Sequence, residues 1–148
     1  MARTFLALAA ALTALAAPAG AADAGLKSLP YDLRYAQLSP AQQEIIRSRY
    51  EGLPADDEPP YPVDGIGTLL RPLLQSARRI HMDGWVDAIA EVGPDGAVRS
   101  VALYQSPDPV IISPLVTSLL ASQKFKPGLC KGTPCTMSFA LRLDLAGR

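Results

Sequence analysis

Cysteine and histidine, which commonly act as the nucleophile and the base of an enzyme, are few in this chain. Its 148 residues include two cysteines, Cys130 and Cys135, and one histidine, His81. A nucleophile or a base in an enzyme needs a second group that activates it. His81 precedes a predicted strand with no such companion beside it, so the sequence predicts a protein that is not an enzyme and offers no catalytic residue.

The N-terminus decides how the cysteines are interpreted. Arg3 is followed by an apolar run over residues 5–17 and by small residues over 18–22, the pattern of a cleavable secretory signal peptide. The competing interpretation is an uncleaved membrane anchor, but the apolar run would rise only about 20 Å as a helix, short of a bilayer core of roughly 30 Å. We therefore predict a signal peptide over residues 1–21, with cleavage after Ala21 or Ala22, and a periplasmic location.

Export to an oxidising compartment favours a disulfide between Cys130 and Cys135. Metal binding is the alternative, but two thiolates with no other Cys or His nearby are only half of a zinc site. The acidic run over residues 56–58 is more typical of a solvated linker than of a metal site. We predict one disulfide that fixes the shape of the loop over residues 128–134, with no metal and no cofactor.

Charge excludes two classes of partner. Fourteen basic residues balance 14 acidic ones, and charged residues make up only 19% of the chain. Neither nucleic acid nor an anionic membrane surface would be attracted by such a chain. The length suits one small domain with appendages.

The elements that position these residues lie in the second half of the chain. Two β-rich runs, residues 85–92 and 98–105, flank a Pro-Asp-Gly turn and predict a hairpin. Apolar residues then recur at helical spacing over residues 114–123, with Ser113 as the expected N-cap. The final run, residues 136–145, alternates strictly and predicts a strand with one buried face.

The first half is predicted to package this core. The N-terminal extension, residues 22–52, is expected to be extended or loosely ordered over 26–38 and helical over 40–51, where Ser39 begins a capping box. The proline-rich and acidic residues 53–62 predict a linker. An amphipathic helix over residues 66–80, containing Pro72, opens the main domain, residues 63–146.

Connectivity predicts the arrangement of the strands. A hairpin followed by a helix returns the chain so that the third strand pairs most simply beside the first. The predicted fold class is therefore α+β, with a small three-stranded antiparallel sheet of order 2-1-3 and helices packed on one face. Trp85 and Phe125 are expected to be core anchors.

A series of short motifs spans residues 61–145. The motifs are a Tyr-Pro pair, a Gly-x-Val, an Asp-Gly-x-Val turn and a Phe-Lys-Pro, carried here by Tyr61, Pro62, Gly84, Asp95, Gly96, Phe125, Lys126 and Pro127. Their order resembles that of the TonB C-terminal domain family. The chain departs from the family pattern at Gln123, where a tryptophan is usual, at Gly128, and in its cysteine pair. The resemblance implies a periplasmic module that binds a peptide of an outer-membrane TonB-dependent transporter along a sheet edge.

The last strand is the predicted binding edge. Its apolar residues face the core, so it offers a partner only backbone groups and the outward residues Thr136, Ser138, Ala140 and Arg142. Arg142 is expected either to pair with an acid on the partner or to discourage unwanted edge pairing. We predict a protein partner and no small-molecule substrate. The alternatives are a homodimer formed through the same edges and an energy transducer with an uncleaved anchor.

Overall fold

The computed structural model describes residues 25–146. The predicted signal peptide, residues 1–21, lies outside these residues. No helix between residues 25 and 146 is long and apolar enough to cross a membrane.

The described chain contains three α-helices and seven strands. Two 3-10 turns, Leu26–Ser28 and Tyr35–Gln37, precede the first helix. The helices are α1 (Pro40–Arg47), α2 (Gly67–Arg79) and α3 (Ile112–Ser122). The strands are β1 (Tyr61–Pro62), β2 (Trp85–Val92), β3 (Val98–Gln105), β4 (Phe125–Lys126), β5 (Gly128–Cys130), β6 (Thr133–Cys135) and β7 (Met137–Asp144).

The central sheet has the order β3-β2-β7, and β2 is antiparallel to both neighbours. Its inward residues are apolar, and the side chains of β2 and β7 alternate between the core and the outer face, as the sequence predicts for the last strand. On β2 and β7 the buried residues are Val86, Ala88, Ala90, Val92, Phe139, Leu141 and Leu143. The prediction of an α+β protein with a three-stranded antiparallel sheet is confirmed.

The hairpin turn forms as its Pro-Asp-Gly sequence predicts. Asp95 accepts a hydrogen bond from the backbone N–H of Ala97 at 3.1 Å, and Gly96 adopts a φ of 78°. Left-handed backbone of this kind favours glycine. The turn therefore fixes the start of β3 against the end of β2.

Helix α3 begins two residues before the predicted start. Ser113 is not its N-cap: the carboxylate of Asp108 accepts hydrogen bonds from the backbone N–H groups of Val110, Ile111 and Ile112. A carboxylate that reaches three free N–H groups satisfies more of the helix start than one hydroxyl can. The Ser113 hydroxyl instead donates to the Asp108 carbonyl at 3.0 Å. Pro72 lies inside α2.

The extension forms 3-10 turns and is part of the core, which corrects the prediction that residues 26–38 are extended or loosely ordered chain. Leu26, Leu29, Tyr35 and Leu38 are all buried in the same hydrophobic cluster as the sheet residues. The two 3-10 turns place these side chains on one side without the period that reveals an α-helix. Helix α1 has the predicted capping box at Ser39 but ends at Arg47.

Candidate functional site

The motif residues at the two ends of the main domain meet in a short ribbon. Tyr61 pairs with Lys126 and Pro62 with Phe125, which joins β1 to β4. The backbone N–H of Phe125 also donates to the carbonyl of Gly96 at 3.0 Å. A Cβ atom at Gly96 would lie 2.0 Å from the Phe125 carbonyl oxygen. These contacts fix the hairpin turn against the ribbon, so the cluster is structural. Tyr61 is fully buried in it, and burial raises the pKa of its hydroxyl to about 12.

Lys126 ties the linker and the extension to this ribbon. Its ammonium group lies 3.0 Å from a carboxylate oxygen of Glu58 and 4.8 Å from the centre of the Tyr35 ring. It also donates to the carbonyl of Pro127 at 3.2 Å. A partner would have to displace these contacts to reach Lys126, so the structure gives it a scaffolding role.

Gly84 holds the start of β2 to the end of β7. Its carbonyl accepts a hydrogen bond from the N–H of Leu145 at 2.8 Å, and its φ is 126°. A Cβ atom there would lie 3.0 Å from the Cβ of Pro107. Gly84 is therefore a predicted motif residue that lies beside the proposed binding strand β7.

The predicted disulfide between Cys130 and Cys135 is present, with Cα atoms 5.8 Å apart. It closes a hairpin of β5 and β6 that the sequence analysis described only as a loop. Lys131 and Gly132 at its tip both have positive φ angles, 50° and 81°, as the tight turns of two-residue hairpins require. A glycine between two closely spaced cysteines was the available signal.

This hairpin is fastened to the linker, which is not a free spacer at that point. The backbone N–H of Glu58 donates to the carbonyl of Leu129 at 2.8 Å, and the reverse bond has the same length. The carboxylate of Asp57 accepts from the backbone N–H of Lys131 at 2.9 Å. Two of the three linker acids, Asp57 and Glu58, thus use their carboxylates in contacts within the protein, with the Lys131 backbone and the Lys126 ammonium group.

The four residues predicted to face a partner occupy one side of the last strand. Thr136, Ser138 and Arg142 are exposed and Ala140 is half-buried. The guanidinium of Arg142 lies over the ring of Trp85, 5.5 Å from its centre. Trp85 is 47% exposed, so it is not the predicted core anchor, whereas Phe125 is. Trp85 starts β2 on the outward face because Val86 takes the inward position.

Two residues of the extension, Arg49 and Tyr50, reach the free edge of β7. The guanidinium of Arg49 donates to the backbone carbonyl of Arg142 at 3.1 Å. The hydroxyl of Tyr50 lies near the backbone of Ala140, and burial raises the pKa of this hydroxyl. The sequence analysis missed both residues. They lie beyond the last turn of α1, where periodicity predicts nothing about which surface a side chain covers.

These contacts also reveal the direction of the backbone groups. The backbone polar groups of Ala140 and Arg142 point away from β2. In an antiparallel ladder such non-bonded pairs alternate with hydrogen-bonded ones. The residues opposite them on β2, Ile89 and Asp87, therefore direct their backbone groups toward β3. On β3 the outward groups then belong to Val101 and Leu103. Within the described residues β3 pairs with β2 alone, and this second edge carries exposed Tyr104.

The remaining candidates for chemistry lie apart. His81 is exposed and borders an open depression of about 260 Å³ together with Asp83 and Arg78. No group of three or more His, Cys, Asp or Glu side chains between residues 25 and 146 is arranged to hold a metal ion.

Comparison with known proteins adds no relative to this picture. The chain matches no protein-family model, no curated protein and no solved structure.

Proposed function

We propose that this chain is a periplasmic, TonB-like protein-binding module that adds an extended segment of an envelope protein to its sheet at β7. An outer-membrane transporter is the partner class that the family resemblance implies. The feature that carries the proposal is the outward backbone of β7, a long outer strand: the carbonyl of Arg142 points away from β2, and the groups of Ala140, two residues earlier, point the same way. Such a row of donors and acceptors is what strand addition requires.

The motif contacts support the family likeness. Tyr-Pro, Asp-Gly and Phe-Lys are short signals that occur by chance, yet here Tyr61, Gly96 and Phe125 all take part in one ribbon and turn. The first hairpin strand also lies between the second and the last, the order that connectivity predicts for a hairpin followed by a helix and a strand. Motifs that depend on each other in space are expected to occur together in sequence, which favours a shared fold over chance.

The partner segment is proposed to carry a carboxylate near the Arg142 position. Arg142 and Arg49 place two guanidinium groups beside this edge, and the acidic Asp87 lies opposite Arg142 on β2. The stacked position of Arg142 on Trp85 keeps its group at the surface. Two neighbouring cations at one edge favour an acidic strand over a neutral one.

A pair of proline variants tests the choice of edge. Affinity capture on the mature protein from a membrane extract first identifies the bound envelope protein. Ala140→Pro should then weaken its binding about tenfold, because one outward hydrogen bond is lost and the ring projects toward the partner. Val101→Pro makes the matched change on β3 and should leave the affinity within about twofold. Thermal melting establishes that both variants fold.

A pair of arginine variants tests the proposed charge. Arg142→Gln should weaken binding and reduce its salt dependence, whereas Arg99→Gln on β3, whose guanidinium pairs with Asp95 at 3.1 Å, should not. Equal binding by the Ala140→Pro variant and the parent would refute strand addition at β7. Loss of binding only in Val101→Pro would move the site to β3.

Self-association is the second candidate function, and the open edge of β3 favours it. Val101 and Leu103 direct backbone groups outward, and Tyr104 is 70% exposed beside them. Antiparallel pairing of two copies through β3 would satisfy these groups and continue the sheet. Sedimentation of the mature protein separates the candidates, since self-association predicts a dimer that Val101→Pro abolishes.

A further inference from the structure

The extension and the main domain meet at the edge where the partner strand is proposed to bind. The guanidinium of Arg49 donates to the carbonyl of Arg142 at 3.1 Å, and the hydroxyl of Tyr50 lies near the backbone of Ala140. These are alternate residues of β7, and both are among the residues whose backbone an added strand would use. A third contact, from the Lys27 ammonium to the carbonyl of Ala146 at 2.9 Å, extends the cover past the end of the strand.

The side chain of Arg49 does not make all of its hydrogen bonds in this covering position. The Nε atom of Arg49 is buried without a hydrogen-bond partner among the described residues. Burial lowers the pKa of its guanidinium, and the nearby charge of Arg142 acts in the same direction. A buried donor without a partner and a like charge nearby both cost free energy. Releasing Arg49 from the edge would recover that cost.

The rest of the extension is anchored much more firmly. Leu26 and Ile46 are each 1% exposed in the shared core, and the Arg47 guanidinium donates to the carbonyls of Pro54 and Asp57. Movement at the edge therefore need involve only the side chains that follow α1. Such side chains rearrange far faster than a core unfolds.

We propose that Arg49 and Tyr50 form an intramolecular latch over β7 and that a partner strand displaces these two side chains when it binds. This inference rests on the function proposed above. The latch protects the edge in the free protein, and the incoming strand takes over the carbonyl of Arg142 and the backbone of Ala140. The carboxylate of an acidic segment would receive the guanidinium of Arg49 as it leaves the carbonyl.

Amide hydrogen exchange on the full mature chain tests the latch without any partner. In the Tyr50→Phe variant the N–H of Ala140 should exchange about tenfold faster than in the parent, while that of Leu141, which points toward β2, stays unchanged. The matched control is Tyr31→Phe, because Tyr31 lies in the same extension but contacts Arg71. Unchanged exchange at Ala140 overturns the latch.

A synthetic strand tests displacement. The probe is a soluble, end-blocked peptide of alternating threonine and valine with one central glutamine, which is neutral so that removing Arg49 does not change charge attraction. The variant Arg49→Ala with Tyr50→Phe should bind it about tenfold tighter than the parent, and the control Arg34→Ala with Tyr31→Phe should match the parent. Circular dichroism checks folding, and Tyr50→Phe alone replaces the double variant if that one unfolds.

The outcomes separate the latch from the function on which it rests. Equal peptide affinity in parent and variant overturns the latch whatever the exchange rates. Faster exchange at Ala140 with no peptide bound by either protein supports the latch and overturns strand addition at β7. Tighter binding by the variant that Ala140→Pro abolishes supports both.

Discussion

Replacing Gly96 by alanine should destabilise the protein by about 3 kcal/mol. Left-handed backbone costs alanine about 1 kcal/mol after its smaller unfolded-state entropy is counted. The new Cβ would also lie 2.0 Å from the carbonyl oxygen of Phe125, so the turn must move away. That movement breaks the hydrogen bond from Phe125 to Gly96, worth about 1 kcal/mol, and loosens the packing of the buried Phe125 ring by a similar amount.

Gly132 provides a matched control for this variant. Its φ of 81° is close to the 78° of Gly96, but nothing lies within 4 Å of the Cβ that alanine would add. Gly132→Ala should therefore cost only the backbone term of about 1 kcal/mol. Urea unfolding of the parent and both variants measures the difference. If the two variants lose equal stability within about 0.5 kcal/mol, contact between the hairpin turn and β4 does not hold the domain together.

Three further perturbations probe other parts of the fold. Replacing Cys130 and Cys135 by serine should lower the free energy of unfolding by about 2 kcal/mol, the chain-entropy value for so short a ring; unchanged stability would contradict it. Leu26→Ala should lower the same free energy by about 3 kcal/mol in one cooperative transition, whereas a separately docked extension would show two transitions. The backbone N–H groups at the start of α3 lower the pKa of Asp108. Its contribution to the free energy of unfolding is therefore present above the unfolded pKa of about 3.9 and is lost as the pH falls through the lower folded pKa. Asp108→Asn should flatten the pH dependence of the free energy of unfolding in that range.

The sequence predicted the central sheet well because its signals are local. The strands β2 and β3 have the predicted bounds, residues 85–92 and 98–105, since a Pro-Asp-Gly turn separates two β-rich runs. The last strand was also recognised, since its alternation reports burial on one face directly.

The covered edge could not be predicted because it depends on contacts between distant residues. Arg49 and Arg142 are 93 residues apart in the chain, and no local period relates them. The docking of Leu26 and Leu29 was missed because 3-10 turns give too short a pattern to recognise. The exposure of Trp85 was misjudged because a tryptophan at a strand start can face either side.

The two outer strands of the sheet avoid unwanted pairing by different means, and the difference supports a reversible latch. The register between β2 and β3 shifts twice, near Asp87 and near Val92, and such bulges twist an edge away from regular pairing. The register between β2 and β7 runs unbroken from Trp85 to Val92, so β7 is the better template for an added strand. Another strand, a bulge or a helix or loop packed along its whole length would protect such an edge more completely. Here the side chains of Arg49 and Tyr50 cover the edge only at alternate residues, and the buried Nε of Arg49 has no hydrogen-bond partner among the described residues. The edge therefore stays intact for a strand that can displace these two side chains.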